Sequence, residues 1–332
     1  MSKKTQTDDD VMAFTFGDDI EAISKRDIFD YIECNKTDKW YEPPVDFTRL
    51  AQMRNAAVHH DSALTVKCNI LSGTFEPTKY MDSMMFQRFA LNFVVFGNSY
   101  YAKQKSILGN KIKGDILPAK YMRVGLDPEQ YFYVPKYNEF TEYKGNVFHL
   151  MSPDINQEIY GLPQYLSAIN SIMLNESATL FRRRYYKNGS HAGYILYMTD
   201  SAQEKGDIDA IRQALKDAKG PGNFRNLFVY APGGKEKGIQ IIPVAEAAAK
   251  DEFTGIKNIS RDDMLAIHRV PPQLMGIIPN NTGGFGDAEK AAKVCYINEL
   301  KPIQTAMLSL NEWLGDEVIR FREYELAATT PA

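Results

Sequence analysis

Apolar residues recur at helical spacing over much of the second half of the chain. One stripe, with spacings of three, four and seven residues, comprises Leu166, Ile169, Met173 and Leu180. Such a stripe is typical of the buried face of an amphipathic helix. Pro163 lies near its first turn and Gly189 just beyond its end, which are common start and stop positions. The pattern predicts one long helix over residues 161–189.

Two further helices are predicted on either side of an irregular segment. The first covers about residues 246–269, and the second runs from Asp287 towards Gly315. Pro302 should kink the second helix, because proline removes a hydrogen-bond donor and clashes with the preceding turn. The segment between them, residues 270–286, is rich in proline, glycine and asparagine. Loops of that length inside a compact chain are usually functional or mobile.

Short runs of aromatic and β-branched residues predict strands. The runs YMRVGLD, YFYVP and NVFHLM occur before residue 152, and AGYILYMTD covers residues 192–200. Residues 226–244 contain two more strands around a hairpin turn at Pro232-Gly233-Gly234. A short charged helix is expected between these strands, over residues 201–220.

The first half combines helices with strands. A helix over residues 46–60 is entered through Asp46, and residues 62–75 fit a continuation of it. Residues 81–105 predict a helix followed by a strand, with Gly97-Asn98 between them. Residues 1–13 are polar and acidic without periodicity, so they are predicted to be disordered. The predicted fold class is α+β and helix-rich.

Composition and charge narrow the class of protein. The 332 residues suggest about two domains. A net charge of -3 lacks the positive excess of a protein that grips nucleic acid through its phosphates. The three cysteines form no CxxC pair, which favours a reducing compartment and argues against structural zinc. No signal peptide or membrane-spanning run is recognised, so a soluble intracellular protein is expected.

A search for catalytic motifs favours a protein without a catalytic site, cofactor or metal. No P-loop occurs, and PGGKEKG (232–238) lacks the required Ser or Thr. GGFGDAE (283–289) imitates a phosphate-binding turn, but a flexible loop with Asp287 as helix N-cap is the favoured interpretation. His59-His60-Asp61 is expected to be buried or capping, and His149, His191 and His268 stand alone.

One basic cluster stands out at the end of the helix predicted over residues 161–189. It consists of Arg182, Arg183, Arg184 and Lys187. Cations suit the C-terminal end of a helix dipole, so the cluster needs no ligand. It could equally form a patch that meets a polyanion or an acidic partner, and both interpretations stay open.

Several strings together resemble a tailed-phage portal protein of the PBSX type. They are FTFG (14–17), WYEPPVDF (40–47), AVHH (57–60), VVFGNSYY (94–101), the segment 153–200, NLFVYAP (226–232), HRVPPQLMG (268–276) and NELKPIQ (298–304). The resemblance runs from about residue 13 to about residue 325. The segment 153–200 and VPP-x-L-M-G after a helix are its specific parts.

The resemblance implies a portal-type fold with a wing, a two-helix stem, a small α/β clip, a tunnel loop and a long kinked helix. Its boundaries would be a disordered tail (1–13), wing (14–161), first stem helix (162–189), clip (190–243), second stem helix (244–270), tunnel loop (271–286), and long helix with a short C-terminal wing or crown segment (287–332). Such proteins form a ring, usually a dodecamer, at one capsid vertex. Double-stranded DNA enters and leaves through that ring.

The resemblance also implies which residues meet which partners. DNA would pass Asn280, Asn281, Thr282, Gly283, Gly284, Phe285, Lys290 and Lys293 without sequence readout. Lys216, Lys219 and Arg225 of the clip would contact the terminase or an adaptor. Further partners would be the terminase large subunit, the major capsid and scaffold proteins, and a head-completion or neck protein. The expected location is the virion, after assembly in the host bacterial cytoplasm.

The charge suits a conduit, because a net charge of -3 per chain gives about -36 for twelve copies. DNA should slide past such a wall, since each phosphate neutralised would add affinity and friction. Two alternatives remain from the sequence. One is an enzyme that binds nucleotide or phosphate at GGFGDAE, and the other is a different oligomeric head-tail adaptor.

Overall fold

The structure is a computed structural model, and it describes residues 12–15, 34–104, 113–136, 139–187, 194–198, 227–230, 239–243, 249–277 and 288–325. The chain divides into two compact units. Unit 1 comprises residues 1–22 and 174–259, and unit 2 comprises residues 23–173 and 260–332.

The helices of the described residues follow the amphipathic segments of the sequence. In chain order they are α1 (Phe47–Met53), α2 (Val58–Thr74), α3 (Ser83–Phe96), α4 (Ile169–Lys187), α5 (Ala249–His268), α6 (Ala288–Cys295), α7 (Lys301–Met307) and α8 (Ser309–Leu314). A π-helix, Tyr296–Leu300, joins α6 to α7. Short 3-10 helices occur at Ala119–Tyr121, Gln164–Ala168 and Pro272–Met275.

The strands are short and almost all antiparallel. They are β1 (Met12–Thr15), β2 (Trp40–Tyr41), β3 (Phe75–Glu76), β4 (Asn98–Gln104), β5 (Lys113–Leu117), β6 (Met122–Gly125), β7 (Gln130–Lys136), β8 (Glu139–Lys144), β9 (Val147–Met151), β10 (Tyr194–Met198), β11 (Leu227–Tyr230), β12 (Ile239–Pro243) and β13 (Arg320–Phe321). Unit 2 holds sheets of order β2-β6-β7-β8, β5-β4-β9 and β13-β3. This mixture confirms the predicted α+β, helix-rich class.

Unit 2 has an aromatic core between helices and sheets. Phe86 and Phe89 of α3 are fully buried, and the ring of Phe75 stacks on Phe86 with centroids 4.1 Å apart. Tyr100 and Tyr101 of β4 are also fully buried. Aromatic side chains of this size dominate the energetics of a core. They fix α3 and β4 as the centre of the unit.

The helix predicted from Asp46 starts there but does not continue to residue 75. The Asp46 carboxylate caps α1 by accepting from Thr48 N at 2.7 Å. The chain then leaves the helix, and Ala57 takes an extended conformation before α2 begins. The Arg54 side chain donates to Asp61 Oδ1 in the first turn of α2 at 2.7 Å, which fixes the corner. The prediction of one continuous helix is therefore wrong.

The first long helix follows its predicted stripe only in part. Pro163 precedes a 3-10 turn, after which α4 begins at Ile169. Leu166 and Ile169 are buried and Met173 packs against the core, as predicted. Leu180 is 45% exposed within the monomer, so the prediction that it is buried is wrong for the isolated chain.

Unit 1 contains one four-stranded sheet of order β1-β11-β10-β12. Strands β10 and β11 are parallel, and the other two pairs are antiparallel. The predicted hairpin between β11 and β12 is wrong, because β10 lies between them. The prediction of disorder through residue 13 is wrong at Met12 and Ala13, which pair with Tyr230 and Val229. The charged helix predicted over residues 201–220 lies outside the described residues.

No helix in the described ranges is both long and apolar enough to cross a membrane.

Candidate functional site at the base of segment 278–287

The predicted loop residues Asn280, Asn281, Thr282, Gly283, Gly284 and Phe285 lie outside the described residues, but both flanks of their segment are described. On one side α5 ends at His268, and the chain passes through the 3-10 helix Pro272–Met275. On the other side α6 begins at Ala288. The 3-10 helix packs against α2 and α6. The structure therefore shows how the base of this segment is held.

Arg269 leaves α5 in a strained backbone conformation. Its φ angle of 52° lies in the left-handed region, which costs a non-glycine residue about 1–2 kcal/mol. The side chain makes two contacts from that position. The Nη1 atom donates to Glu299 Oε2 at 2.8 Å and to Gln164 Oε1 at 2.9 Å. The strain is thus offset by contacts that turn the chain off the helix at a fixed point.

Glu299 accepts a second charged hydrogen bond, from Lys67, through its other carboxylate oxygen. Lys67 Nζ of α2 lies 2.6 Å from Glu299 Oε1, and both side chains are almost fully buried. Burial lowers the pKa of Lys67, and the Glu299 carboxylate opposes that shift. Lys67, Arg269 and Glu299 together form an ion cluster. The cluster ties α2 to both flanks of the 278–287 segment.

The π-helix that carries Glu299 has an evident cause in the sequence. Pro302 has no N–H to donate to the carbonyl one turn earlier, so the regular ladder cannot continue across it. The chain instead widens to a π-helix over Tyr296–Leu300 and resumes as α7. Such π segments often mark functional positions in helices. The irregularity expected at Pro302 occurs in the turn before it and contains the buried carboxylate.

Two histidines that look isolated in the sequence meet beside the ion cluster. His60 Nδ1 lies 2.9 Å from His268 Nε2, and both rings are buried. The Tyr165 ring contacts the His60 ring, with centroids 4.6 Å apart. Burial lowers the pKa of His60 to about 4 and that of His268 to about 2. The expected burial of His60 is confirmed, but His268 does not stand alone.

A buried asparagine joins two more of the sequence strings noted above. Asn98 donates to Phe96 O and Gly161 O, and its Oδ1 accepts from Gly161 N and from His149 Nε2. All four distances lie between 2.7 and 2.8 Å. Gly97, at φ 67°, ends α3 so close to Leu162 that a Cβ atom would meet its carbonyl carbon at 2.5 Å. The string VVFGNSYY (94–101) therefore packs directly against residues 160–165 of the segment 153–200.

The cavity beside these groups is small. Lys67, Gln164, His268 and Glu299 are among the residues that line it, and its volume is about 30 Å³. Sites for drug-sized ligands usually enclose about 300–1,000 Å³. No group of three or more His, Cys, Asp or Glu side chains in the described ranges could hold a metal ion. The arrangement is suited to holding backbone segments in place.

The predicted basic residues are only partly described. Lys290 and Lys293 are exposed on α6, and Lys293 Nζ pairs with Glu289 Oε1 at 2.9 Å. Arg182 and Arg183 are exposed on α4. Arg184 and Lys187 belong to the same helix, with side chains outside the described set. Lys216, Lys219 and Arg225 lie outside the described residues.

No local sequence pattern reveals the ion cluster. Its members lie on three elements far apart in the chain, and no local spacing connects them. A weak signal existed, because Lys67 falls between Leu64 and Leu71 on the buried side of α2. A charged residue on an apolar stripe requires a buried partner. The partner could not be identified without the fold.

Comparison with known proteins gives one consistent result. Residues 68–330 match the family model described as phage portal protein. The chain is 53% identical over 315 residues to the probable portal protein of Escherichia phage P2, covering 95% of this chain and 92% of that protein.

Two solved structures share the fold. A chain from the neck of an empty GTA particle has a TM-score of 0.59 at 14% identity, covering 86% of this chain and 85% of that one. An HK97 family phage portal protein from Corynebacterium diphtheriae has a TM-score of 0.54 at 15% identity, covering 82% and 94%.

Proposed function

The chain belongs to the phage portal protein family, and we propose that it forms the portal ring of a tailed phage. In this role it would occupy one capsid vertex, admit double-stranded DNA during packaging and release it during ejection. The neck and tail would attach to the same ring. The match to a portal protein along almost the whole chain supports this function.

The ion cluster is the observation that connects this function to the structure. Glu299 accepts from Arg269 before the 278–287 segment and lies on the π-helix after it. Lys67 anchors the same carboxylate to the core. A loop whose two ends are held in place can extend into a channel without displacing the helices on either side of it. We propose that residues 271–286 form this tunnel loop.

Charge favours sliding over binding. The chain has a net charge of -3, and the Lys293 ammonium beside the loop is already paired with Glu289. Phosphate contacts dominate the affinity of proteins for DNA and carry no sequence information. Weak contacts from Asn280, Asn281 and Thr282, repeated around a ring, would guide DNA without holding it.

Exposed apolar residues on α6 and the π-helix suit contacts between subunits. Val294 and Ile297 are each 57% exposed and lie one turn apart. Apolar residues grouped on a surface often mark a protein interface. We propose that a neighbouring subunit of the ring covers them.

The finer assignments extend the same proposal. The ring would be a dodecamer of the PBSX type with stem helices at 162–189 and 244–270 and a clip at 190–243. The clip, through Lys216, Lys219 and Arg225, would contact the terminase large subunit or an adaptor. Capsid, scaffold and neck proteins would meet other surfaces during assembly in the host cytoplasm. The portal protein would itself need no cofactor and catalyse no reaction.

The first test is the mass and symmetry of the purified protein. Native mass spectrometry should give a closed assembly of about a dozen subunits, and electron-microscope class averages should show a central hole. A stable monomer or dimer at high protein concentration and at every salt concentration tested would contradict the proposed ring. A ring of the unmodified protein that fails to support DNA packaging would instead contradict the proposed portal role.

A further inference from the structure

The four-stranded sheet of unit 2 has one face toward the core and one face away from it. Tyr41, Val124, Tyr131 and Tyr143 form a row across β2, β6, β7 and β8 and pack against the core. Because side chains alternate between faces, the neighbouring row with Phe132 and Glu142 points the other way. That outer face carries a group of aromatic side chains that is separate from the hydrophobic core.

Three aromatic rings form this group on the outer face. Phe132 lies beneath Trp40 and Phe140, with ring centroids 5.2 Å and 5.8 Å away. Trp40 and Phe140 contact each other at 5.8 Å. The partner of Trp40 in register on β6 is Gly125, and the Gln130 side chain occupies the space that a Cβ atom on Gly125 would need. Phe140 remains 42% exposed on strand β8, an edge of the sheet.

A groove of about 300 Å³ runs beside the aromatic group. Its apolar floor and acidic rim, here named the acidic groove, comprise Asp38, Leu126, Asp127, Phe132, Phe140 and Glu142. The three carboxylates are exposed and form no ion pair within the described part of the chain. Glu142 accepts one hydrogen bond, from Gln130 Nε2 at 2.8 Å. The groove thus offers negative charge above an apolar surface.

Lys39 already places a cation in the acidic groove, which indicates that cationic side chains fit there. Lys39 also lines the groove, and its Nζ atom lies 4.0 Å from the centroid of the Phe140 ring. A cation over an aromatic face is attracted by the ring quadrupole. With three carboxylates and one ammonium, the groove retains an excess of negative charge. It would repel phosphate and attract further cations.

We propose that the acidic groove docks a basic segment of another virion or assembly protein. The segment would place an arginine or lysine head group among Asp38, Asp127 and Glu142. An adjacent apolar side chain would lie on Leu126 and Phe140. Arginine is favoured at such sites, because its planar head group both stacks on aromatic rings and pairs with carboxylates. The proposal rests on this sheet alone and does not depend on the tunnel loop.

A labelled peptide tests the chemistry with the full-length protein. The probe is a fluorescein-tagged peptide of alternating arginine and leucine, measured by fluorescence anisotropy at about 0.1 M salt, where exposed charges act over about 10 Å. The combined variant Asp38→Asn, Asp127→Asn, Glu142→Gln should weaken binding about tenfold or more. Phe140→Ser should also weaken it. Peptides with glutamate for arginine, or serine for leucine, should bind less well to the unmodified protein.

A matched variant distinguishes the effect of the groove carboxylates from the effect of a change in the protein's net charge. Glu158→Gln, Glu312→Gln, Glu323→Gln removes the same number of exposed negative charges elsewhere in unit 2. This variant should bind the arginine–leucine peptide within about twofold of the unmodified protein, because none of the three glutamates lines the groove and salt screens exposed charges. Equal weakening by both variants, or no binding by the unmodified protein, would overturn the proposal. Circular dichroism and melting temperature establish that each variant is folded.

A photo-crosslinking amino acid at position 140 identifies the occupant during infection. The proposal expects crosslinks to a segment of another protein that contains arginine or lysine next to an apolar residue. Crosslinks confined to a second copy of this chain, or the absence of crosslinks, would overturn it. Ring formation by the triple groove variant is measured in parallel. Loss of the ring would indicate a subunit contact and would also count against the proposal.

Discussion

Lys67 Nζ lies 2.6 Å from Glu299 Oε1, although the first residue belongs to α2 and the second to the π-helix near the other end of the chain. Both side chains are buried, with 6% and 4% of their surface exposed. Without Glu299 the Lys67 ammonium would be buried with no counter-charge, and leaving a buried charge uncompensated is strongly destabilising. This pair therefore ties the flank of the proposed tunnel loop to the core of unit 2.

Removal of the carboxylate should be costly. Glu299→Gln leaves the Lys67 ammonium buried without its counter-charge, and we expect a loss of about 3–5 kcal/mol in the free energy of unfolding, measured with urea. The control is Glu289→Gln, which breaks the exposed pair with Lys293 and should cost less than about 1 kcal/mol. Replacing Lys67 and Glu299 together by methionine should recover most of the loss. Equal stability of the Glu299→Gln and Glu289→Gln variants would contradict the importance of the ion cluster.

Stability should fall in mild acid because of buried histidines. Burial lowers the pKa of His60 to about 4, of His268 to about 2 and of His149 to about 3. Unfolded histidine titrates near pH 6.5, so below that pH the unfolded chain binds more protons than the folded one. The stabilisation is therefore complete above about pH 6.5 and decreases as pH falls toward the folded pKa values. Each histidine should contribute about 1 kcal/mol of loss between about pH 7.5 and 5.5.

The measurement is urea unfolding at the two pH values. In the variant His268→Gln, the difference between them should shrink by about 1 kcal/mol, because one titrating group is gone. An unchanged difference in that variant would show that His268 is not kept neutral by burial. A wild-type protein equally stable at both pH values would contradict the prediction for all three histidines.

Two glycines with the same backbone conformation should respond differently to alanine. Gly97 and Gly276 have φ angles of 67° and 68°. A Cβ atom on Gly276 would have no neighbour within 4 Å, whereas one on Gly97 would meet the Leu162 carbonyl carbon at 2.5 Å. Gly97→Ala should therefore cost about 1–3 kcal/mol more than Gly276→Ala. Thermal unfolding of both variants checks this, and equal costs would mean that the junction with Leu162 can relax.

Shortening the proposed tunnel loop should separate assembly from packaging. Deletion of residues 280–286 leaves the ion cluster intact, so rings should still form. DNA packaging or retention should drop, measured as nuclease-protected DNA per particle in phage supplied with the variant. The matched control removes residues 105–111 from the connection between β4 and β5. Normal packaging by the 280–286 deletion would contradict the role assigned to the loop, as would equal loss in both deletions.

Local sequence patterns predicted most helices and strands, but they did not predict which of these elements contact each other. The stop at Gly97, the cap at Asp46 and the helix before residue 269 follow from chemistry within one or two turns, and the structure confirms them. The break between α1 and α2 was missed, because the apolar pattern continues across a corner held by Arg54 and Asp61. The false hairpin arose because adjacent strands usually pair, whereas here β10 lies between β11 and β12.

The candidate site could likewise be located from the sequence, but the contacts that hold it could not. Resemblance pointed to residues 271–286, whereas the groups that hold its base come from residues such as Lys67, His60 and Glu299. Those groups are distant in sequence and show no periodicity that connects them. Two of the strings that carried the resemblance, AVHH and HRVPPQLMG, prove to meet through His60 and His268. A motif pair can thus mark a junction in the fold as readily as a chemical site.

The position of β1 in the sheet of unit 1 has a consequence for synthesis. Strand β1 is translated well before its partner β11, which ends at Tyr230. At about 5–20 residues per second, the ribosome needs roughly ten to forty seconds to reach that partner. During this interval the N-terminal strand must wait unpaired, and afterwards it covers an edge of β11 that would otherwise invite other chains. Strand β1 can therefore take its place in the sheet only after β11 has been synthesised.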